Sequence, residues 1–586
     1  MKFTNLFGVS LLISFTCLGQ IPCENGMAGN YPCRNVDLLA HIPLEGLETG
    51  MANDIWGWTD PSSGYEYVIV GTYDGASFVD ISDPINPVYL GMLPDHSLAQ
   101  SASSKLFHDE KSAWRDVKVF QNHAYIVGEE ENQGVQIFDL TQLRDVVNPP
   151  VIFTESGHYD GVGNSHNMVI NENSGFGYAV GSTRNSDSGV GGLHIIDLSD
   201  PINPAFVSSY HESGYVHDAQ CVIYNGPDQD YDQKEICFCS NATNFAIVDV
   251  DNKNDITLIS RNFYETSAYT HQGWLTTDHR FFLMNDEGDE RDPQDPSNTR
   301  TYVWNVEDLD HPYIAGIYLH GTASIDHNLY TKGNTVYQSN YTAGLRVLDS
   351  EQVQYGLLRE KGYFDTHPQN NFNEFNGSWS NYPYFESGVI AVTDIAGGLF
   401  LVRENYQESY IIHQPEYTEA CLGDMASLVV EVGGGSPVYQ WQMYDGSEFS
   451  DLSTEDVYEG MNTYSLVLSN ATLDQNGLLF RCKVTSKNGE EVFTEPAGFS
   501  VRDCTLDIPE SKNMSLFPNP TSDLIQLTNG TTGTYHIISI SGRIVSSGEL
   551  TTQTPQIDLA TIPKGLYLFQ LKTPNGTFIN SKFRKI

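Results

Sequence analysis

The chain reads as all-β: a seven-bladed β-propeller closed by an N-terminal strand, followed by an Ig-like β-sandwich and a second, small β-sandwich. Three observations predict this. Two nearly identical nonapeptides, VDISDPINP at 79–87 and IDLSDPINP at 196–204, each sit between apolar runs. Weaker copies of the same strand–turn–strand unit recur at steps of roughly 50 residues, the size of one four-stranded blade. The strand segments are rich in Val, Ile, Tyr and Phe with Gly-rich breaks, and none has helical periodicity.

The N-terminus carries Lys2, the apolar run LFGVSLLISF and then Gly19-Gln20, the pattern of a secretory signal peptide over residues 1–19. The eight cysteines that remain after cleavage suit an oxidising compartment. Cys23 and Cys33 are expected to pair locally. Cys221 on one strand faces Cys237 and Cys239 on the next, which predicts one disulfide and one buried thiol.

The repeats fill residues 35–405. Asp80, Asp139, Asp197, Asp249, Asn305 and Asp349 anchor six copies, each at the end of an aliphatic run. In the insert that follows, Ser and Asp side chains can bond nearby N–H groups, and Asn-Pro disfavours helix before the next strand. A seventh copy, GVIAVTDIAGGLFLVRE at 388–404, lacks an outer strand, while NVDLLAHIPLEG at 35–46 reads as an outer strand with no blade before it. Joining the two closes the ring and protects the sheet edges. In blade two, the segment around 151–153 is expected to be the outer strand.

Acidic residues number 75 against 30 basic ones, a net charge of −45. That balance argues against nucleic acid or an anionic membrane as a partner. No later apolar stretch is long enough to span a bilayer.

Four long segments, HDAQCVIYNGPDQDYDQKEICFCSN, HQGWLTTDHRFFLMNDEGDE, DHNLYTKGNTVYQSNYTAGLRVLD and GSWSNYPYFESG, occur in one order along the repeat region. In them the chain resembles the choice-of-anchor B family, built on LVIVD-type propeller repeats. The resemblance implies a secreted or surface-attached propeller and brings no biochemical activity with it.

Residues 410–503 change character. Cys421, Trp441 and Cys482 stand in the Cys…Trp…Cys order of an Ig-like domain, with Phe480 where the tyrosine corner would place Tyr. Cys421 sits earlier than a strand-B cysteine, so Cys482 and Cys504 are rival partners for it. After this, SLFPNPTSDLIQL, YHIISISGRIVSSGEL and IDLATIPKGLYLFQLKTPNGTFINSKFRKI resemble the type A sorting domain of the type IX secretion system of Bacteroidota. For residues 511–586 that resemblance implies the type IX machinery as a partner and delivery across the outer membrane.

Aligned on their innermost strands, the blades begin Asn53-Asp54, Arg115-Asp116, His166-Asn167, His217-Asp218, His271-Gln272, His327-Asn328 and Ser378-Trp379. Four consecutive histidines at one position form an arc around one mouth of the channel. Imidazole is the commonest ligand for zinc or copper, and the acids Asp116 and Asp218 can orient it or complete the shell. Such a metal is expected to leave as pH falls through the histidine range, about 6. The competing reading is structural, since in WD-repeat propellers a recurring histidine hydrogen-bonds within its own blade. The acidic run Asp286, Glu287 and Asp289 shares a face with His271 and matters only if it turns inward. On the opposite face, Asp228, Asp230 and Asp232 alternate ahead of Glu235, a pattern that can converge on structural calcium, although Gln233 rules out an EF-hand.

Two functional classes follow. The first is a binding module that takes a protein, peptide or glycan at the propeller face bearing the arc. The second is a metal-dependent secreted oxidoreductase or hydrolase. There is no phosphate-cradling Gly loop, GxSxG elbow or HExxH motif.

Overall fold

The computed structural model describes residues 20–585 apart from short stretches, the longest being 97–111, 183–190, 292–297 and 503–515. The signal-peptide segment and His108 lie outside the described residues. The chain divides into two compact units, the first being Met1–Tyr410 with Val432–Pro437 and Thr485–Glu491.

Among the described residues the first unit holds seven sheets, each opened by one leading strand. These strands are Ala52–Thr59, Arg115–Phe120, Asn167–Asn171, Asp218–Ile223, Thr270–Leu275, Leu329–Lys332 and Ser378–Tyr382. From each, successive strands pair antiparallel outward; the fourth sheet, for example, runs Asp218–Ile223, Glu235–Ser240, Phe245–Asp249, Thr257–Asn262. Leading strands of successive sheets lie side by side, and the seventh lies beside the first.

The recurring anchors now have a physical role. Each ends the third strand of its sheet, and its side-chain oxygen accepts the N–H two residues on. The distances are 2.9 Å at Asp80, 2.9 Å at Asp139, 2.8 Å at Asp197, 3.0 Å at Asp249, 3.1 Å at Asn305 and 2.9 Å at Asp349. These are Asx turns, which release the chain from one strand and aim it back along the next.

Both faces of each sheet are buried, because each is packed between two others. Along Glu66–Thr72, Tyr67 and Ile69 join the core shared with the second sheet, and Val68 and Val70 the core shared with the seventh. That is the two-residue period of a strand buried on both sides. Equivalent cores lie between every successive pair of sheets.

The N-terminal strand Val36–Ile42 pairs antiparallel with Gly398–Glu404 as the outer strand of the seventh sheet. Tyr31–Arg34 extends the sixth sheet beyond Arg359–Phe364. Disulfides join Cys23 to Cys33 and Cys221 to Cys237, leaving Cys239 a buried thiol.

The second sheet departs from expectation. Val151–Ile152 is not its outer strand but pairs parallel with Val88–Pro94 of the first sheet, and Gly157–Tyr159 takes the outer place. The 3-10 helix Leu140–Asp145 carries the chain away from its own sheet. Gly91 admits the newcomer: a Cβ there would lie 1.9 Å from the Val151 carbonyl oxygen.

In the second unit, Trp441 is fully buried and its indole N–H donates to the Thr463 carbonyl at 2.9 Å. The Cys421–Cys482 bridge is not formed. Cys421 is disulfide-bonded, Cys482 carries a buried thiol, and Cys504 lies outside the described residues. Phe480 is a buried ring packed on Tyr458 and Phe499. The C-terminal segment forms a three-stranded and a four-stranded sheet around Ile525, Ile537, Phe569, Leu571 and Phe583. Among the described residues no helix is long and apolar enough to cross a membrane.

Candidate metal centre

The leading strands run side by side, so residues at the same repeat position become neighbours. His166, His217, His271 and His327 accordingly form a row with ring centroids 4.3, 4.4 and 4.3 Å apart. His217, His271 and His327 are buried. Two of the rings are oriented by the backbone of the next sheet. His217 Nδ1 donates to the His271 carbonyl at 2.9 Å, and His327 Nδ1 donates to the Trp379 carbonyl. A carbonyl only accepts, so in these rings Nδ1 carries the proton and Nε2 keeps its lone pair. The histidines do tie structure together, but the ties run between sheets rather than within one. They also leave Nε2 available.

Glu287 supplies the opposite charge. It follows the second strand of the fifth sheet, Phe281–Asp286, and Asp286 shapes the turn. The Asp286 carboxylate accepts from Tyr264 Oη at 2.6 Å and from the N–H groups of Ala268, Tyr269 and Gly288 at 2.9, 2.7 and 3.1 Å. So held, Glu287 turns inward. Its Oε1 accepts from the Tyr341 hydroxyl at 2.5 Å and lies 3.7 Å from His327 Nε2, while Oε2 lies 3.9 Å from His271 Nε2. His271, Glu287 and His327 each offer one ligand atom, and these atoms lie within 4.8 Å of one another.

Burial dominates the electrostatics. It pushes His327 down to about 3 and His217 and His271 well below the ordinary imidazole value, so all three are neutral at physiological pH. It pushes Glu287 up to about 7. His166, nearer solvent, places Nδ1 2.6 Å from Glu129.

The other candidate ligands lie elsewhere. Asp116 accepts from Lys118 Nζ at 2.6 Å and from the Met168 N–H at 2.7 Å, bracing the second sheet against the third. Asp218 accepts from the Ala219 N–H at 2.7 Å, and burial pushes it up to about 7. Both belong to a cluster around Lys118, whose charge the carboxylates of Asp116, Asp54 and Asp218 sustain against burial. Neither meets Glu287 in the ligand group.

The acidic loop also rearranges. Glu235 opens a strand and faces the core, bonded to Lys253 Nζ and the Tyr178 hydroxyl at 2.6 Å each. Asp228 gathers instead with Asp308 and Asp310 from the fifth sheet, and its carboxylate accepts from the Leu309 N–H at 2.9 Å. Asp230 is exposed, and Asp232 accepts from its neighbour Gln233 at 3.3 Å. The four expected ligands do not converge.

The cavity at the histidine row, lined also by Asp54, Arg115 and Trp379, holds about 10 Å³, room for one ion or water. Further along the leading strands lie two larger cavities of about 260 and 440 Å³ that share Trp56, Glu172, Gln220 and Trp274. Tyr330, Tyr382 and Tyr384 complete an aromatic wall, with Trp56 edge-on to Tyr330 at 5.7 Å and to Tyr382 at 5.2 Å.

Comparison with known proteins bears on the C-terminus. Residues 515–584 match the secretion system C-terminal sorting domain. This tail sends the protein through the type IX system. Its destination is the cell surface or the medium, and the secretion machinery is its partner. No curated protein matches the chain. Among solved structures, a protein from Lactobacillus plantarum aligns at 10% identity over 74% of this chain and 93% of its own, with a TM-score of 0.34. A functionally unknown protein from Desulfotomaculum acetoxidans aligns at 12% over 59% of this chain and 97% of its own, with a TM-score of 0.36. Duf (Kirre) D1 aligns at 17% over 16% of this chain and 98% of its own, with a TM-score of 0.14. At such scores none carries an argument about fold or function.

Proposed function

We propose that the chain is a secreted or cell-surface binding protein: a seven-bladed propeller of LVIVD-type, choice-of-anchor B repeats over 35–405. In this reading it carries a transition-metal centre at His271, His327 and Glu287. Residues 410–503 serve as an Ig-like spacer, and 511–586 as the sorting address. Support for the blades comes from the repeated Asx turns, the shared cores between sheets and the outer strand contributed by Val36–Ile42.

One observation carries the metal reading. The 3.7 and 3.9 Å gaps from Glu287 to the two Nε2 atoms are too long for hydrogen bonds. They suit two ligands of one ion, each about 2.0–2.2 Å from it. The backbone carbonyl holding His327 Nδ1 and the Tyr341 hydroxyl on Glu287 are the outer partners of two of the three ligands, while the buried Nδ1 of His271 has none among the described residues. Zinc or copper fits an imidazole–carboxylate donor set. Ligand binding fits the aromatic cavities, where rings stack on sugar faces and Glu172, Gln220 and Thr331 offer polar partners. The experiment is elemental analysis of the chain purified without chelator, with and without replacement of His271 and His327.

A further inference from the structure

The aromatic cavities further along the leading strands have a charge character that stacking on sugar faces alone does not explain. Five rings bound them: Trp56, Trp274, Tyr330, Tyr382 and Tyr384. These rings form one connected group. Trp274 meets Tyr330 edge-on at 5.0 Å, and Tyr382 meets Trp56 at 5.2 Å and Tyr384 at 5.4 Å in the same manner. Aromatic faces carry negative potential and attract ammonium groups. Trp56 already does so, with Lys118 Nζ 4.6 Å from its ring centre.

The ionisable groups of the lining favour a cation as well. Lys118 is paired with Asp116 Oδ1 at 2.6 Å. His279 is held below the ordinary imidazole value by burial, and its Nδ1 accepts from the Asn225 N–H at 3.2 Å, so it adds no charge. Two carboxylates remain in the lining, Asp218 and Glu172. Asp218 accepts from the Ala219 N–H at 2.7 Å and shares the one ammonium of Lys118 with Asp116 and Asp54. Glu172 lines both cavities, is exposed, and has no basic group among the described residues acting on it. Ring faces beside carboxylates short of countercharge select an organic cation over a neutral or acidic ligand. A bare metal ion would use the carboxylates and leave the rings without a role. We propose that these cavities take a glycan whose sugars carry protonated amines, with the ring faces against the sugar and the ammonium toward Glu172 and Asp218. This rests on the glycan-binding reading above and narrows it to amino sugars.

The test titrates the full chain with three disaccharides of one backbone. They are glucosamine units with free amines, the N-acetylated form, and the N-trimethylated form, which keeps its charge at every pH. Calorimetry should show both charged forms binding at least about tenfold more tightly than the acetylated one. Glu172→Gln should reduce that preference about threefold, and because Glu172 is exposed this variant does not put the fold at risk. Trp274→Ala should weaken the charged forms about tenfold while leaving the charge of the chain untouched. The two variants separate the cavity from its surroundings, since a chain of net charge −45 attracts any cation. Equal affinity for charged and acetylated forms would overturn the amino-sugar inference and leave glycan binding standing. Undiminished binding of the charged forms by both variants would also overturn it, by moving the cation to the surface at large. Binding of none of the three would remove the glycan reading and this inference with it.

Discussion

At the scale of single residues, the account turns on which groups hold protons. The buried histidines are neutral far below pH 6, so they do not compete with a metal for protons in the ordinary range. Glu287, pushed up to about 7, does. Above that pH its carboxylate is ready to bind; below it a proton must leave first. Zinc affinity should therefore fall about tenfold per unit as pH drops below 7, with one proton displaced, and Glu287→Gln should flatten the slope. Titration calorimetry across pH 5–8 reads this, and a wild-type slope unchanged in the variant would contradict it. In this account the proton that competes with the metal sits on the Glu287 carboxyl, whereas the sequence alone predicts an imidazole. A second prediction concerns Trp274, which lines both aromatic cavities. If a glycan binds there, Trp274→Ala should weaken it about tenfold with little change in melting temperature. Equal binding by variant and wild type on a glycan array would remove the site. The histidines were legible because a repeat puts equivalent residues in register. Glu287 was not, since only the Asp286-held turn decides that it points inward. Asp228, Asp230, Asp232 and Glu235 misled for a related reason: their spacing suits a cation loop, but Glu235 begins a strand and faces the core.

At the scale of elements, strand order followed the turn chemistry. At five of the six Asp or Asn anchors that close a third strand the expected strand–turn–strand unit appears; Asp139 is the exception. The second sheet strays because an inserted 3-10 helix separates its third strand from the next apolar pair, and nothing local tells Val151 which sheet edge to join. The N-terminal strand could be placed by elimination, one outer strand missing and one left over. It fills both neighbouring cores, Val36 and Leu38 on one side and Leu39 on the other. Each such side chain contributes about 1.5–3 kcal/mol, against a net stability of roughly 5–15 kcal/mol for a folded domain. Deleting Val36–Ile42 should also bare the edge of Gly398–Glu404. The expected product is oligomeric or melts far lower by light scattering and circular dichroism. A monomer with an unchanged melting temperature would refute closure by this strand.

At the scale of the whole molecule, the signal-peptide pattern, cysteine usage, acidity and sorting tail all describe a protein built for the outside of the cell. The tail was legible as three motifs in order, because an address must keep its own sequence. The ligand was not legible, because pockets form from distant residues: Trp56 and Tyr384 share one cavity across most of the first unit. The central claim is that the histidine row with Glu287 holds one transition-metal ion. Elemental analysis of the full chain, purified without chelator, tests it most directly. The account predicts about one equivalent of zinc or copper in wild type and less than about one tenth of that after His271 and His327 are both replaced by Ala. A metal-free wild type, or a double variant that keeps its zinc or copper, would contradict it.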